Sequence, residues 1–480
     1  MTLTAVYGLV NGGRTKSIPV ILLPLKQFDA YVSAQTVAIR HWLESHHFAF
    51  EVGRSLLVPT ADGSPDHVVL CVANRLDAWA VASLPLKLPD ALYSLDFRYV
   101  PDVEKNSSLV VHLAYGWGMA CYRFAHFKSF ETVLPRLRVM VRAHYDEAMI
   151  LLASAYLARD LINLPANHLG PTQLLDHAEA IAKEFGAKYQ RIQGDALLKK
   201  NYPAVHAVGR ASDNPPGIID MQWGDAAHPK VTLVGKGVCF DSGGLDIKGA
   251  QNMRLMKKDM GGAAVVLALA RLVMAMQLPV RLRVLIPAVE NSISSNAFRP
   301  GDIIATRKGV SVEIGNTDAE GRLILCDALA EADTDAPDLM IDCATLTGAA
   351  RVALGTEVPA FFTNSDALAE SIEVASRDEQ ELLWRLPLYA PYEDMLESKV
   401  ADLSNSPESP YGGAIAAALF LNRFVEKTTH WVHVDLMAWN VKPRHGRPVG
   451  GEAQAMRTLF AVIQQKANSL AKPTKRPSKK

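Results

Sequence analysis

Apolar positions along this chain fall into two kinds of run. Short aliphatic and β-branched blocks such as Val231-Thr232-Leu233-Val234 have the length of a strand buried on both faces. The longest apolar stretch, 260–270, ends at Arg271 and predicts a buried helix; it falls short of the ~20 residues that cross a bilayer. In residues 1–135, blocks at 18–24, 68–73 and 109–114 separated by helical and loop segments predict a small α/β domain. From 136 to 163 apolar residues come nearly all round a helix, including 149–152 and 156–158, as in a helix buried between two bodies. Pro165 is a natural stop for it. Beyond, strands alternate with helices as in a doubly wound, mostly parallel sheet. The expected organisation is an N-terminal α/β domain (1–135), a linker helix (136–165), a larger α/β domain (166–470) and a basic tail (471–480) that is solvated and disordered. No internal repeat is evident.

Charge placement adds the first chemical signal. Asn316-Thr317-Asp318-Ala319-Glu320-Gly321-Arg322-Leu323 sets two carboxylates and a guanidinium at alternate positions. In extended backbone Asp318, Glu320 and Arg322 project to one side. Such alternation also suits the solvated face of an edge strand. Here, however, it follows 309–315, which reads as a strand and turn, and leads into apolar 323–326 with a helix beyond. Strand-to-helix junctions are where α/β folds place ligands.

A second constellation starts at Lys236, directly after the 231–234 strand. Asp241, Lys248 and Asp259 follow, in Asp241-Ser242-Gly243-Gly244-Leu245-Asp246-Ile247-Lys248 and Met256-Lys257-Lys258-Asp259. Gly235-Lys236-Gly237 lacks the upstream glycine and the Ser or Thr of a phosphate loop, and no Gly-x-Gly-x-x-Gly opens a helix here. Taken alone, Asp259 before the 263–276 helix is equally well an N-cap.

Composition excludes more than it selects. Lys plus Arg and Asp plus Glu both number 50, so the net charge is zero and nothing calls for nucleic acid or a membrane surface. The N-terminal residues show no basic, apolar, cleavable leader, and five scattered cysteines suit a reducing cytoplasm. His430 and His433 face opposite sides of a strand expected over 431–435, and His46-His47 form no helical metal motif. The expected metal site is therefore free of histidine.

Together these segments resemble the signatures of the leucine aminopeptidase (cytosol aminopeptidase) family, from Lys236 through Phe240-Asp241-Ser242-Gly243-Gly244-Leu245 and Asn316 to Leu323. The resemblance continues in Arg299-Pro300-Gly301-Asp302, Ala344-Thr345-Leu346-Thr347-Gly348-Ala349 and Gly412-Gly413-Ala414, covering about residues 145–440. It implies a homohexameric, cytoplasmic metalloaminopeptidase acting on peptides with a free N-terminus. It places two divalent ions, Mn²⁺ or Zn²⁺, on Lys236, Asp241, Asp259, Asp318 and Glu320, with Asp241 and Glu320 as bridges. Lys248 polarises the scissile carbonyl, and Arg322 holds a bicarbonate that is general base toward a metal-bridging water. Met256, Asn316, Thr345 and Gly348 match positions lining the substrate cleft, expected to take an apolar first residue. Two departures bear on specificity: Lys258 stands where many members carry an aromatic residue, and 449–457 lacks the usual pocket-shaping turn. The alternative is a non-catalytic regulatory or DNA-binding protein on the same fold.

Overall fold

The structure, a computed structural model, describes residues 4–131 and 133–471; the basic tail from Lys472 onward lies outside the described residues. The chain forms two compact units, Met1–Tyr156 with Lys442–Val449, and Leu157–Val441 with Gly450–Lys480.

The first unit is built on a six-stranded sheet in the order Leu9–Asn11, Arg136–Val139, Leu92–Asp96, Ile18–Pro24, Pro65–Val72, Ser55–Pro59. All its pairs are parallel except the last. Two of the expected apolar blocks are strands in it. The third, 109–114, is not a separate short element: it lies inside the helix Ser107–Ala120, where Val111 to Ala120 are all buried. An all-round apolar helix and a buried strand give the same local pattern, and length decides for the helix. The linker helix also begins later than expected, at Arg142, and runs to Asn163. Arg136–Val139 instead alternates, with Leu137 and Val139 buried and Arg136 exposed, and that period of two puts it in the sheet.

The second unit carries a nine-stranded sheet. Its main path runs Trp384–Arg385, Ala360–Thr363, Trp431–Asp435, Leu339–Ala344, Lys230–Gly235, Arg281–Asn291, Gly217–Trp223, Lys188–Gln193, and Gly237–Asp241 pairs with Arg281–Asn291 off this path. The four strands from Trp431–Asp435 to Arg281–Asn291 are parallel to one another. They are buried almost throughout, which explains the unbroken apolar runs in the sequence. Helices Gly261–Ala275 and Glu320–Asp333 both pack on Lys230–Gly235. The approach is close enough that a Cβ on Gly262 would meet the Cys343 carbonyl oxygen at 2.1 Å, so glycine is needed there. These contacts hold the carboxyl ends of the central strands, and the turns that follow them, in fixed register.

Candidate active site

Five segments converge where those strands end. Lys236 follows Lys230–Gly235; its backbone N–H donates to the Cys343 carbonyl at 3.0 Å, and its carbonyl accepts from Ala263 at 2.9 Å. Both main-chain groups are thus tied down before the side chain is considered. Its Nζ lies 2.7 Å from Asp259 Oδ2 and 3.0 Å from Glu320 Oε1, and donates to the Thr345 carbonyl at 3.2 Å. The stem of Lys236 runs against Gly321, where a Cβ would sit 2.6 Å from Cε, so a side chain at 321 would displace the amine.

Asp241 closes the strand Gly237–Asp241. Its Oδ1 accepts from Gly243 N and Asn291 Nδ2, both at 2.9 Å, leaving Oδ2 to Lys248 Nζ at 2.8 Å. Lys248 also ion-pairs with Asp318. Asp259 sits in a 3₁₀ turn, Met256–Met260, and caps nothing: the residue before the helix Gly261–Ala275 is Met260, and that helix start has no side-chain cap. Its Oδ1 accepts instead from the Thr345 hydroxyl at 2.8 Å. The capping alternative for Asp259 is therefore set aside.

The 316–322 segment reaches the same place by a different backbone than the alternating pattern suggests. Residues 316–319 form a turn, and the helix Glu320–Asp333 begins at Glu320. Asp318 and Glu320 are turn and first-turn helix residues, not strand neighbours. The turn is fixed from both sides. Asp318 N donates to Asn316 Oδ1 at 2.7 Å, Thr317 N to Asp246 Oδ2 at 2.7 Å, and Asp246 N to Thr317 Oγ1 at 2.8 Å. Asp246 thus anchors the turn.

Asp241, Asp259 and Glu320, all buried, bring ligand oxygens within 4.8 Å of one another. Asp318 stands at the edge of this cluster, its side chain 32% exposed. Asp259 Oδ2 and both Glu320 oxygens are buried without a hydrogen bond, with the Lys236 ammonium beside Asp259 Oδ2 and Glu320 Oε1. Burial, reinforced by Asp241, raises the carboxyl groups of both Glu320 and Asp318 above their ordinary values. Burial works against the charge on Lys236, but Asp259, Glu320 and Asp241 more than reverse it and raise the amine's pKa. The same holds for Lys248, where Asp241 leads. Excess buried acid with unsatisfied oxygens, beside amines that carry protons a dication could replace, is a donor set that fits hard or borderline divalent ions.

Arg322, 7% exposed, donates from Nη1 to the Asn405 carbonyl at 2.7 Å, and its Nε has no hydrogen-bond partner. Burial lowers its pKa to about 10, so it stays charged at neutral pH. Of the expected cleft residues, Thr345 is buried against Asp259, while Met256 opens the 3₁₀ turn. Asn316 is half-buried in its turn, and Gly348 is exposed at the start of the helix Gly348–Leu354.

Three residues that shape the site carried no sequence signal strong enough to single them out. Asn405 accepts from Gly315 N and Asn316 N and donates to the Asn316 carbonyl, and its own carbonyl holds Arg322. Asn291 joins Asp241 to the Thr317 carbonyl. Asp435 gathers Leu346 N, Thr347 N and the Thr347 hydroxyl, fixing the turn from which Thr345 reaches Asp259. Only Asn291, a polar end to an apolar strand, left a trace. His433 is turned into the core against Asp342, with Nδ1 to Oδ1 at 2.5 Å, and all five cysteines are buried and free.

Comparison with known proteins agrees with this geometry. Residues 156–460 match the cytosol aminopeptidase family, catalytic domain, and residues 18–140 match the M17 aminopeptidase N-terminal domain. The chain is 36% identical over 470 residues to a probable cytosol aminopeptidase of Syntrophotalea carbinolica, covering 92% of this chain and 94% of that protein. It is 42% identical over 357 residues to one from Legionella pneumophila strain Corby, covering 72% of each. Among solved structures, the cytosol aminopeptidase from Coxiella burnetii superposes with a TM-score of 0.91 at 44% identity, over 96% of this chain and 99% of that one. The bottromycin maturation enzyme BotP, in complex with Mn, gives 0.83 at 32% identity, over 94% and 99%. Among the described residues no helix is long and apolar enough to cross a membrane. With both domains matched and the acidic cluster assembled from the signature segments, this chain belongs to the cytosol aminopeptidase family and is a peptidase.

Proposed function

We propose that the protein is a two-metal aminopeptidase releasing the first residue of peptides that have a free N-terminus. The observation that carries this reading is the cluster of Asp241, Asp259 and Glu320, with ligand oxygens within 4.8 Å and three of them short of hydrogen bonds. Lys236, Asp241, Asp259, Asp318 and Glu320 would hold two ions, Lys236 as a neutral amine once its proton is lost. The Mn complex of BotP, 32% identical, supports manganese, and the donor set also suits zinc. Such ions supply Lewis acidity toward the scissile carbonyl and a nucleophilic water at neutral pH.

The remaining chemistry belongs to the chain. Lys248, kept charged by Asp241 and Asp318, donates to the carbonyl oxygen as negative charge develops there. Arg322 cannot act as a base while charged; with Nη1 committed to Asn405, its Nε side is left to hold a planar oxyanion such as bicarbonate, which would accept the proton. A homohexamer in the cytoplasm belongs to the same proposal. Metal analysis combined with an aminoacyl-anilide assay tests it. The expected result is two ions per chain, activity lost to a chelator and restored by Mn²⁺; equal turnover by thoroughly metal-free protein would overturn it.

A further inference from the structure

Lys258 precedes the ligand Asp259 and is 1% exposed, yet its Nζ makes no hydrogen bond. The nearest acid is Asp259 Oδ1 at 3.9 Å, already bonded to the Thr345 hydroxyl. Asp435 also acts on Lys258, but its two oxygens are occupied by Leu346, Thr347 and the Thr347 hydroxyl. Lys236 repels it. So does Arg351, whose Nη1 is likewise buried without a partner. Arg351 rises from the helix that starts at Gly348, and its Nη2 is 3.8 Å from where a Cβ of Gly348 would be. Two cationic side chains with unpartnered nitrogens therefore flank Thr345 to Gly348, beside the acids that would hold the metal ions.

A buried ammonium without a hydrogen-bond acceptor is costly to the free protein, and a site left this way favours a ligand that brings one. Gly348, exposed and without a side chain, lies beside Arg351. We infer that Lys258, assisted by Arg351, selects peptides whose first residue is acidic, Glu or Asp, by pairing with its side-chain carboxylate. This replaces the expectation of an apolar first residue, which Lys258 would leave desolvated and unpaired. It rests on the aminopeptidase reading and deepens it.

The test compares glutamyl-, aspartyl- and leucyl-anilides on the Mn²⁺-loaded full-length protein and on Lys258→Met, Lys258→Arg and Arg351→Met. Wild type should prefer an acidic residue over leucine in kcat/KM. Lys258→Met should lose on the order of 10–10² toward the acidic substrates, as expected for a charge-assisted hydrogen bond, and gain relative to leucine. Lys258→Arg should retain the acidic preference, and Arg351→Met, at a half-exposed position, should weaken it even if Lys258→Met fails to fold. Calorimetric binding of free glutamate and leucine should follow the same order. A leucine preference in wild type, or a Lys258→Met that slows all three substrates equally, would overturn the inference and leave Lys258 as a support for Asp259. No turnover of any anilide by protein holding two ions would sink the aminopeptidase reading itself.

Discussion

The helix Glu320–Asp333 carries three buried acids, and its two parts treat them in opposite ways. Asp327 accepts from the backbone N–H groups of Ala204 (2.8 Å), Val205 (3.2 Å) and Arg307 (2.7 Å). Asp333 accepts from the N–H groups of Glu426, Lys427 and Thr428 and from the Thr428 hydroxyl. Glu320, at the helix start, has no hydrogen bond to either oxygen. Burial is common to all three, so burial does not mark function. What separates Glu320 is that its lone pairs are left over, a cost that a fold tolerates where a ligand will meet it.

That contrast can be broken most severely at Glu320. Glu320→Gln should lower kcat by about 10³ or more, since it removes charge and a ligand atom from the centre. In chelator, its melting temperature should change little, because the isosteric amide keeps the packing and Lys236 keeps its pairing with Asp259. Calorimetry of the metal-free variant checks this; a large drop would place Glu320 with the structural acids.

Lys248→Ala should reduce the rate by about 10²–10³ while elemental analysis still finds both ions, the size expected for one transition-state donor. Metal loss in that variant would make Lys248 a ligand and exchange its role with Lys236.

Asp327→Ala should do the converse of Glu320→Gln. It strands three buried N–H donors and should cost about 2–4 kcal/mol of stability, read from urea unfolding, with kcat per folded molecule unchanged. A catalytic loss without destabilisation would remove the distinction between the two groups.

The smallest effect concerns pH. Burial raises the Asp333 carboxyl, but the Thr428 hydroxyl and the three backbone donors outweigh it and hold the group below its ordinary value of 3.8. Above that value the unfolded chain and the folded one are both ionised, and the full stabilisation is present. As pH falls through the folded value the stabilisation is lost, because the unfolded chain takes up the proton first. Asp333→Asn should flatten that acid limb of a stability-versus-pH curve and leave neutral-pH turnover alone; an unchanged limb would show that other carboxylates dominate it.

Much of the site was legible because its residues sit in compact signatures whose spacing survives whatever backbone joins them. Lys236, Asp241, Asp259 and Glu320 come together as those signatures imply, although 316–322 is a turn and a helix rather than an alternating strand. Short charged segments do not distinguish the two, and Gly321 is what lets the helix start against Lys236. Asn405 and Asp435 were not legible, since each acts on a turn more than 80 residues away in sequence. The 109–114 block was misread for a related reason: a helix buried all round shows no periodicity.

The central claim is that the unsatisfied acids at the ends of the central strands are metal ligands. Anomalous diffraction at the manganese edge from crystals grown with Mn²⁺ addresses it most directly. The account predicts two peaks within bonding distance of the Lys236, Asp241, Asp259, Asp318 and Glu320 side chains. Manganese bound elsewhere, with Lys236 still paired to Asp259 and Glu320, would contradict it.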